Sequence, residues 1–99
     1  MLRRVKMDYP EPPLDDVKRL TVMILLERNS DVGFTELYRM MGISKGALDS
    51  HLRVLEREEL VYRERRFIGN SLRVFVRVTG KGLNKLQRSK IAWRRLLEE

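Results

Sequence analysis

The 99-residue sequence contains no cysteine and a single histidine, His51. The absence of cysteine excludes disulfide bonds, thiolate metal sites, iron–sulfur clusters and a cysteine nucleophile. One histidine cannot build a histidine metal cluster within one chain. The longest apolar run, Val22 to Leu26, is far shorter than the roughly 18–20 residues that a membrane-spanning helix needs. We therefore expect no metal, no cofactor and no membrane segment.

The N-terminal region also lacks an apolar stretch. It begins with basic residues and runs directly into an acidic, proline-rich segment, which is not the pattern of a secretory signal. The segment Tyr9-Pro10-Glu11-Pro12-Pro13 cannot be helical. The sequence therefore predicts an N-terminal arm over residues 1–13, one domain over residues 14–99, and a cytoplasmic location.

Charge is abundant and unevenly distributed. The chain has 21 Lys and Arg against 14 Asp and Glu, a net charge of +7. Residues 60–95 contain 11 basic side chains and one acidic side chain. Such pooled positive charge favours a polyanionic partner, nucleic acid before an anionic membrane surface. A solvated surface of a heat-adapted protein would show the same composition, and the two interpretations are compatible.

Three helices are predicted in the first part of the chain. Apolar residues at helical spacing predict a helix over residues 14–28. Thr35 is a plausible N-cap for a short second helix that ends at Gly42. Ser44 can cap a third helix that runs to about residue 58. Two short helices joined by a few residues with a glycine are typical of a helix-turn-helix.

After residue 60 the hydrophobic period changes from 3.6 to 2. The alternation over residues 72–78 predicts a strand with one buried face, and residues 61–67 are a weaker candidate for its partner. Gly69-Asn70 is a hairpin turn signal. Thr79 can cap a last helix over residues 80–98. This order predicts an α+β, mainly α fold: a winged helix-turn-helix with a three-helix core, a β-hairpin wing and a C-terminal helix.

The third helix has the profile of a DNA-recognition helix. A helical wheel places its leucines on one stripe and leaves a polar, mostly small opposite face, on which Arg53 is the central long cation. Arg53 could bind guanine O6 and N7, and Asp49 could accept from a cytosine amino group. An ordinary exposed helix face is the alternative. Gly46 favours DNA, because glycine near a first turn costs about 1 kcal/mol and needs a reason. A close approach to DNA or to the preceding helix would supply that reason.

Taken together, these residues resemble the winged-helix transcriptional regulators of the MarR and ArsR type, in particular their short archaeal and bacterial members. The resemblance covers roughly residues 14–90. It rests on Phe34-Thr35-Glu36-Leu37, on Gly42-Ile43-Ser44-Lys45-Gly46-Ala47-Leu48-Asp49-Ser50-His51-Leu52, and on Thr79-Gly80-Lys81-Gly82 after a basic hairpin.

The resemblance implies a non-enzymatic, homodimeric regulator of transcription, with repression as the expected outcome. It implies that the third helix enters the major groove of double-stranded DNA and that the wing touches the backbone and the minor groove. The residues it places against DNA are Ser44, Lys45, Gly46, Asp49, Ser50 and Arg53 in the helix, and Arg66, Asn70, Ser71 and Arg73 in the wing.

The last helix commonly forms the dimer interface in such regulators. The residues that could do so here are Leu83, Leu86, Trp93 and Leu97. They could instead cover the monomer's own core, since a small domain needs some of the apolar residues of its last helix for itself. The sequence lacks the cysteine and histidine sites of metal-sensing members and has little room for the pocket of drug-sensing members. It therefore predicts no particular effector.

Two other functions remain open. One is a winged-helix module for protein–protein or RNA contacts within a larger assembly. The other is an enzyme, which is opposed by the absence of cysteine, the lone histidine and the absence of a phosphate-binding glycine loop. Phe67 and Ile68 also allow two roles: wedges between base pairs, or packing of the hairpin base against the last helix, which we favour.

Overall fold

The computed structural model describes residues 9–98. Within this range the chain forms four helices and three strands. They are α1 (Val17–Arg28), β1 (Val32–Gly33), α2 (Phe34–Met41), α3 (Lys45–Arg57), β2 (Val61–Ile68), β3 (Ser71–Val78) and α4 (Gly80–Glu98). This order confirms the predicted winged helix-turn-helix, in which α1, α2 and α3 form the core and the β2–β3 hairpin forms the wing.

Two helices begin at residues other than those predicted. α1 begins at Val17, because the Asp16 carboxylate accepts a hydrogen bond from the Arg19 backbone N–H at 3.1 Å and caps the helix. α2 begins at Phe34, so the prediction that Thr35 is its N-cap is wrong. The N-cap position is Gly33, whose extended backbone belongs to β1 and pairs with β3.

The other predicted helix ends are confirmed. Gly42 ends α2 in the left-handed region, at φ 65°. Ser44 Oγ caps α3 by accepting from the Ala47 backbone N–H at 3.1 Å. Thr79 Oγ1 accepts from the Gly82 N–H at 2.9 Å and caps α4. These caps satisfy N–H groups that have no partner within their own helices.

The sheet has three antiparallel strands in the order β1-β3-β2. The sequence did not predict β1, which is only two residues long. The predicted one-sided burial of β3 is wrong: Phe75 and Val76 are both buried, although neighbouring side chains point to opposite faces. Val76 packs in the core, and Phe75 on the opposite face of the sheet is covered by the Arg66 guanidinium. The first half of β3 projects with the wing.

The core consists mainly of leucines. The predicted inward stripe of α3, formed by Leu48, Leu52 and Leu55, is fully buried. Leu86 of α4 is also fully buried in this chain's own core. Its prediction as a dimer contact is therefore corrected, because a side chain with no exposed surface is unavailable to a partner.

The segment before α1 packs on α4. Leu14 is fully buried, and its carbonyl accepts a hydrogen bond from Trp93 Nε1 at 2.8 Å. Lys85 Nζ lies 2.9 Å from a Glu11 carboxylate oxygen. Trp93, which the sequence predicts as a dimer contact, thus uses its polar edge within its own chain. Residues 1–8 of the predicted arm lie outside the described residues.

Candidate nucleic-acid interface

The exposed face of α3 is the centre of the candidate interface. With the leucine stripe turned inward, the predicted contact residues Ser44, Lys45, Gly46, Ser50 and Arg53 are all exposed. Arg53 is the most prominent, with 73% of its side-chain surface exposed. The structure therefore leaves a polar ridge of small residues and one long cation uncovered by the chain over residues 9–98.

The ridge borders an open cleft of about 880 Å³ between the start of α2, the start of α3 and the wing. Lys45, Gly46 and Asp49 line it from the helix side, and Ser71 and Arg73 line it from the wing. The structure thus brings together residues that the sequence predicted separately in the recognition helix and in the wing.

Arg63 fastens the base of the wing to α3, a role that the sequence analysis missed. Its Nη1 lies 2.7 Å from an Asp49 oxygen and its Nη2 lies 3.0 Å from a Glu56 oxygen. The two carboxylates are seven residues apart, or two helical turns, so they lie on one side of α3. The guanidinium also lies 5.5 Å from the centre of the Phe34 ring, within cation–π range. Finding Arg63 required knowledge of how the strand packs on the helix.

Asp49, which pairs with Arg63, also pairs with Arg53. Its second carboxylate oxygen lies 2.9 Å from Arg53 Nε. Its pKa is lowered, mainly by the hydrogen bond from Arg63, which outweighs the rise caused by burial, and further by the positive charges of Arg63 and Arg53. Asp49 is thus held ionised between two arginines, and it positions Arg53 on the exposed ridge. A cytosine amino group would have to compete with these arginines for the carboxylate.

The wing arginines are largely paired with acidic residues from the first part of the chain. Arg73 Nη2 lies 3.3 Å from a Glu36 oxygen, and Arg77 Nη1 lies 3.4 Å from an Asp31 oxygen. The positive charge that appears concentrated in the sequence is therefore partly neutralised in the fold. Of the five arginines in β2 and β3, Arg65 alone has no carboxylate partner among residues 9–98.

Arg66 is held against the protein rather than projecting from the wing. It forms an ion pair with Asp31, and its guanidinium lies 3.5 Å from the centre of the Phe75 ring. Only about a third of its side chain is exposed. This placement counts against the prediction that Arg66 contacts DNA, whereas Asn70 and Ser71 are exposed at the turn and Arg73 is about half exposed.

His51 lies on the α1 side of α3, away from the polar ridge. Its Nδ1 is 3.4 Å from Arg19 Nη1, and the Arg19 Nε donates to the Pro13 carbonyl at 2.8 Å. His51 therefore takes part in the packing of α3 on α1. No group of three or more potential metal ligands occurs among residues 9–98. No helix in that range is long and apolar enough to cross a membrane.

The ion pairs of Glu27 and Asp49 predict that the stability of the fold decreases in acid. The Lys90 hydrogen bond to Glu27 and the Arg63 hydrogen bond to Asp49 are the largest causes of the lowered pKa of each carboxylate. A lowered pKa contributes stability that is present above the unfolded-state value, near pH 4, and is lost as the pH falls through the folded-state value. We expect the Tm to fall between about pH 5 and pH 2.

The measurement is thermal unfolding followed by circular dichroism across that range. The Asp49→Asn variant should show a shallower dependence on pH than the parent chain. A parent Tm that stays constant across the range, or an equal slope for the variant, would contradict this role of Asp49.

A family model and several solved structures match this chain. Residues 18–97 match a family model described as a winged helix DNA-binding domain. No curated protein matches the sequence. A solved structure of a transcriptional regulator homologue from Pyrococcus horikoshii OT3 is 29% identical, with a TM-score of 0.78; the match covers 86% of this chain and 84% of that chain.

Two further solved structures share the fold at lower identity. The apo form of wild-type MarR from E. coli is 21% identical with a TM-score of 0.71, over 81% of this chain and 59% of that one. A PadR-like transcriptional regulator from Bacillus cereus strain ATCC 14579 is 19% identical with a TM-score of 0.75, over 89% and 91%. The chain therefore spans about three fifths of MarR and most of the PadR-like protein.

Proposed function

Because the chain belongs to the winged helix DNA-binding domain family, we propose that it is a sequence-specific regulator of transcription that represses its targets. The observation that carries this proposal is the exposed polar ridge of α3 beside the open cleft that the wing borders. In this arrangement α3 enters the major groove of double-stranded DNA, and the wing follows the backbone into the adjacent minor groove. The same proposal makes the chain non-enzymatic and places its action in the cytoplasm.

The ridge residues divide into those that position the protein and those that read bases. Ser44 and Lys45 lie at the start of α3, where free backbone N–H groups favour a phosphate. Arg53 reads guanine through its terminal nitrogens, because its Nε is already held by Asp49. Ser50 contacts either a donor or an acceptor on a base edge.

The wing contributes a second set of contacts. Asn70 and Ser71 at the exposed turn reach the backbone, and Arg73 exchanges Glu36 for a phosphate. Arg65 joins this set, since it is exposed and has no carboxylate partner to release in the described part of the chain. We retain Arg73 from the sequence-based prediction and give Arg66 no direct contact.

We propose that two copies act together through α4. Leu83, Ile91 and Leu97 are exposed along this helix, with 75% of Leu97 accessible. Trp93 is partly exposed and lies one helical turn before Leu97, on the same side of α4 as Leu97. A homodimer built on this surface would present two copies of α3 to a two-fold symmetric site.

The test is a selection of bound duplexes from a random pool at physiological salt. We expect an enriched motif with two-fold symmetry and half-sites about 10 base pairs apart, or a multiple of that distance. A symmetric motif would support both the DNA partner and the dimer. Enrichment of no sequence would reject sequence-specific binding and favour a module for protein or RNA contacts.

Gly46 gives a sharper prediction, because stability and binding should change in opposite directions. A Cβ built at Gly46 meets no atom of residues 9–98 within 4 Å, so packing among these residues gives no reason for a glycine in the first turn of α3. Gly46→Ala should stabilise the fold by about 0.5–1 kcal/mol. It should also weaken DNA binding, since the added methyl group separates the helix from the groove.

The two effects are measured by urea denaturation and by binding to the selected duplex. Gly80→Ala is the matched control, because a Cβ at Gly80 is equally uncontested and lies at the start of α4. A Gly46→Ala protein that binds DNA as tightly as the parent would place the start of α3 away from DNA.

A further inference from the structure

The tip of the wing carries an exposed apolar cluster. Phe67 is 74% exposed, and Ile68 and Leu72 are each 51% exposed. The expectation that Phe67 and Ile68 pack at the base of the hairpin is wrong, because they lie at its distal end, next to the Gly69-Asn70 turn. Apolar side chains grouped on a projecting hairpin mark a contact surface rather than scattered surface residues.

Strand register places two of these side chains on one face. Phe67 is the cross-strand partner of Leu72, so their side chains are adjacent. Arg63 and Arg65 share that face, because side chains alternate along a strand. Arg63 reaches α3 from it, and Leu72 lines the cleft together with Lys45 and Gly46. The Phe67–Leu72 pair therefore faces the same side of the molecule as the recognition helix.

The charge around the pair indicates what it contacts. Residues 65–73 include three arginines and no acidic residue. Arg65 is two residues from Phe67 on the same face and has no carboxylate partner in the part of the chain that the structure describes. Because Arg66 and Arg73 are paired with Asp31 and Glu36, the repulsion in a tip-to-tip contact between two copies would come from their Arg65 side chains. The minor groove of DNA offers phosphates for the cation and apolar sugar and base-step surface for the side chains.

We propose that Phe67 and Leu72 form an apolar wedge that enters the minor groove beside the site read by α3 and bends the duplex. This inference rests on the proposed DNA-binding function and extends it. The wedge partly unstacks one base step, while Arg65 neutralises an adjacent phosphate. Pyrimidine–purine steps are the easiest to open, so the wedge adds a preference for such a step at a fixed distance from the α3 contacts.

The experiment measures bending of the duplex enriched by the selection. Donor and acceptor dyes at its two ends report the bend, and 2-aminopurine at the flanking step reports unstacking. We expect the parent chain to bend the duplex by at least about 20° and to raise the 2-aminopurine emission. Phe67→Ala combined with Leu72→Ala should abolish both signals and weaken binding about tenfold, and leave the preference at the α3 positions intact.

Ile68→Ala is the matched control. Ile68 lies at the same tip with similar exposure, but its cross-strand partner is Ser71 and it faces the other side of the hairpin. It should leave the bend and the affinity unchanged. Thermal unfolding of the three proteins should coincide, because all the replaced side chains are largely exposed.

The outcomes separate this inference from the proposed function. A parent chain that binds no duplex rejects the proposed function and the wedge with it. A parent chain that binds its site without bending it, or a double variant that bends it equally, rejects the wedge alone. A double variant that changes only the oligomeric state, measured by light scattering, also rejects it, because the pair would then contact another copy.

Discussion

Replacing Gly82 by alanine is expected to destabilise the fold more than any other change considered for this chain. A Cβ built at Gly82 would lie 2.1 Å from the Leu60 carbonyl oxygen and 3.0 Å from its carbonyl carbon. Val78 Cγ2 would also be only 3.0 Å away. The clash is with backbone, so rotation of a flexible side chain cannot relieve it.

The Leu60 carbonyl also has a structural role. It accepts a hydrogen bond from the Thr79 backbone N–H at 3.0 Å, which joins the start of β2 to the start of α4. Moving it away from a methyl group would weaken this bond and separate α4 from the sheet. We expect Gly82→Ala to cost about 3 kcal/mol or more and to lower the Tm by more than about 10 °C.

Thermal and urea unfolding provide the measurement, and Gly80→Ala is the control. Gly80 is two residues earlier in the same helix, and an added Cβ there meets no atom of the described residues within 4 Å. Equal stability of the two variants would show that α4 can shift away from Leu60 without cost and would contradict the packing described here.

Replacing Arg53 by alanine is expected to have the largest effect on sequence recognition. Arg53 is the long cation of the exposed ridge, and its Nε is held by Asp49. Loss of a bidentate contact with guanine costs about 1–3 kcal/mol and relaxes discrimination at that base pair. In a two-fold symmetric motif the relaxation should appear once in each half-site.

The measurement repeats the duplex selection and the binding assay with the Arg53→Ala protein. Arg94→Ala, an exposed position on α4, removes the same charge away from the ridge. This control should retain the full motif. Unchanged affinity and an unchanged motif for Arg53→Ala would remove α3 from the role of recognition helix.

The sequence predicted best those features that depend on near neighbours in the chain. Gly42 and Ser44 lie at the caps where glycine and serine are favoured, and the inward leucines of α3 followed from helical spacing alone. Thr79 likewise caps α4 through a hydrogen bond three residues ahead. The polar ridge was predictable because it is the remaining face of a helix whose other face is leucine.

Features that depend on register or on distant pairing were not predictable. Arg65 and Arg66 are adjacent and chemically identical, yet Arg66 covers Phe75 and pairs with Asp31, whereas Arg65 has no carboxylate partner within residues 9–98. Leu86 and Leu83 are three residues apart on α4, yet one is fully buried and the other exposed. These differences depend on which helix or strand packs against each residue, and a local sequence pattern does not contain that information.

The carboxylates beside the wing arginines have a consequence for how tightly this surface can hold DNA. In the proposed complex, moving Arg73 to a phosphate would leave Glu36 without its partner and facing the same polyanion. The arginine would change partners, so the electrostatic gain would be smaller than a free cation would give. We therefore expect weak binding to DNA of unrelated sequence, and a lifetime of the complex that depends on the proposed contacts between α3 and a matching site.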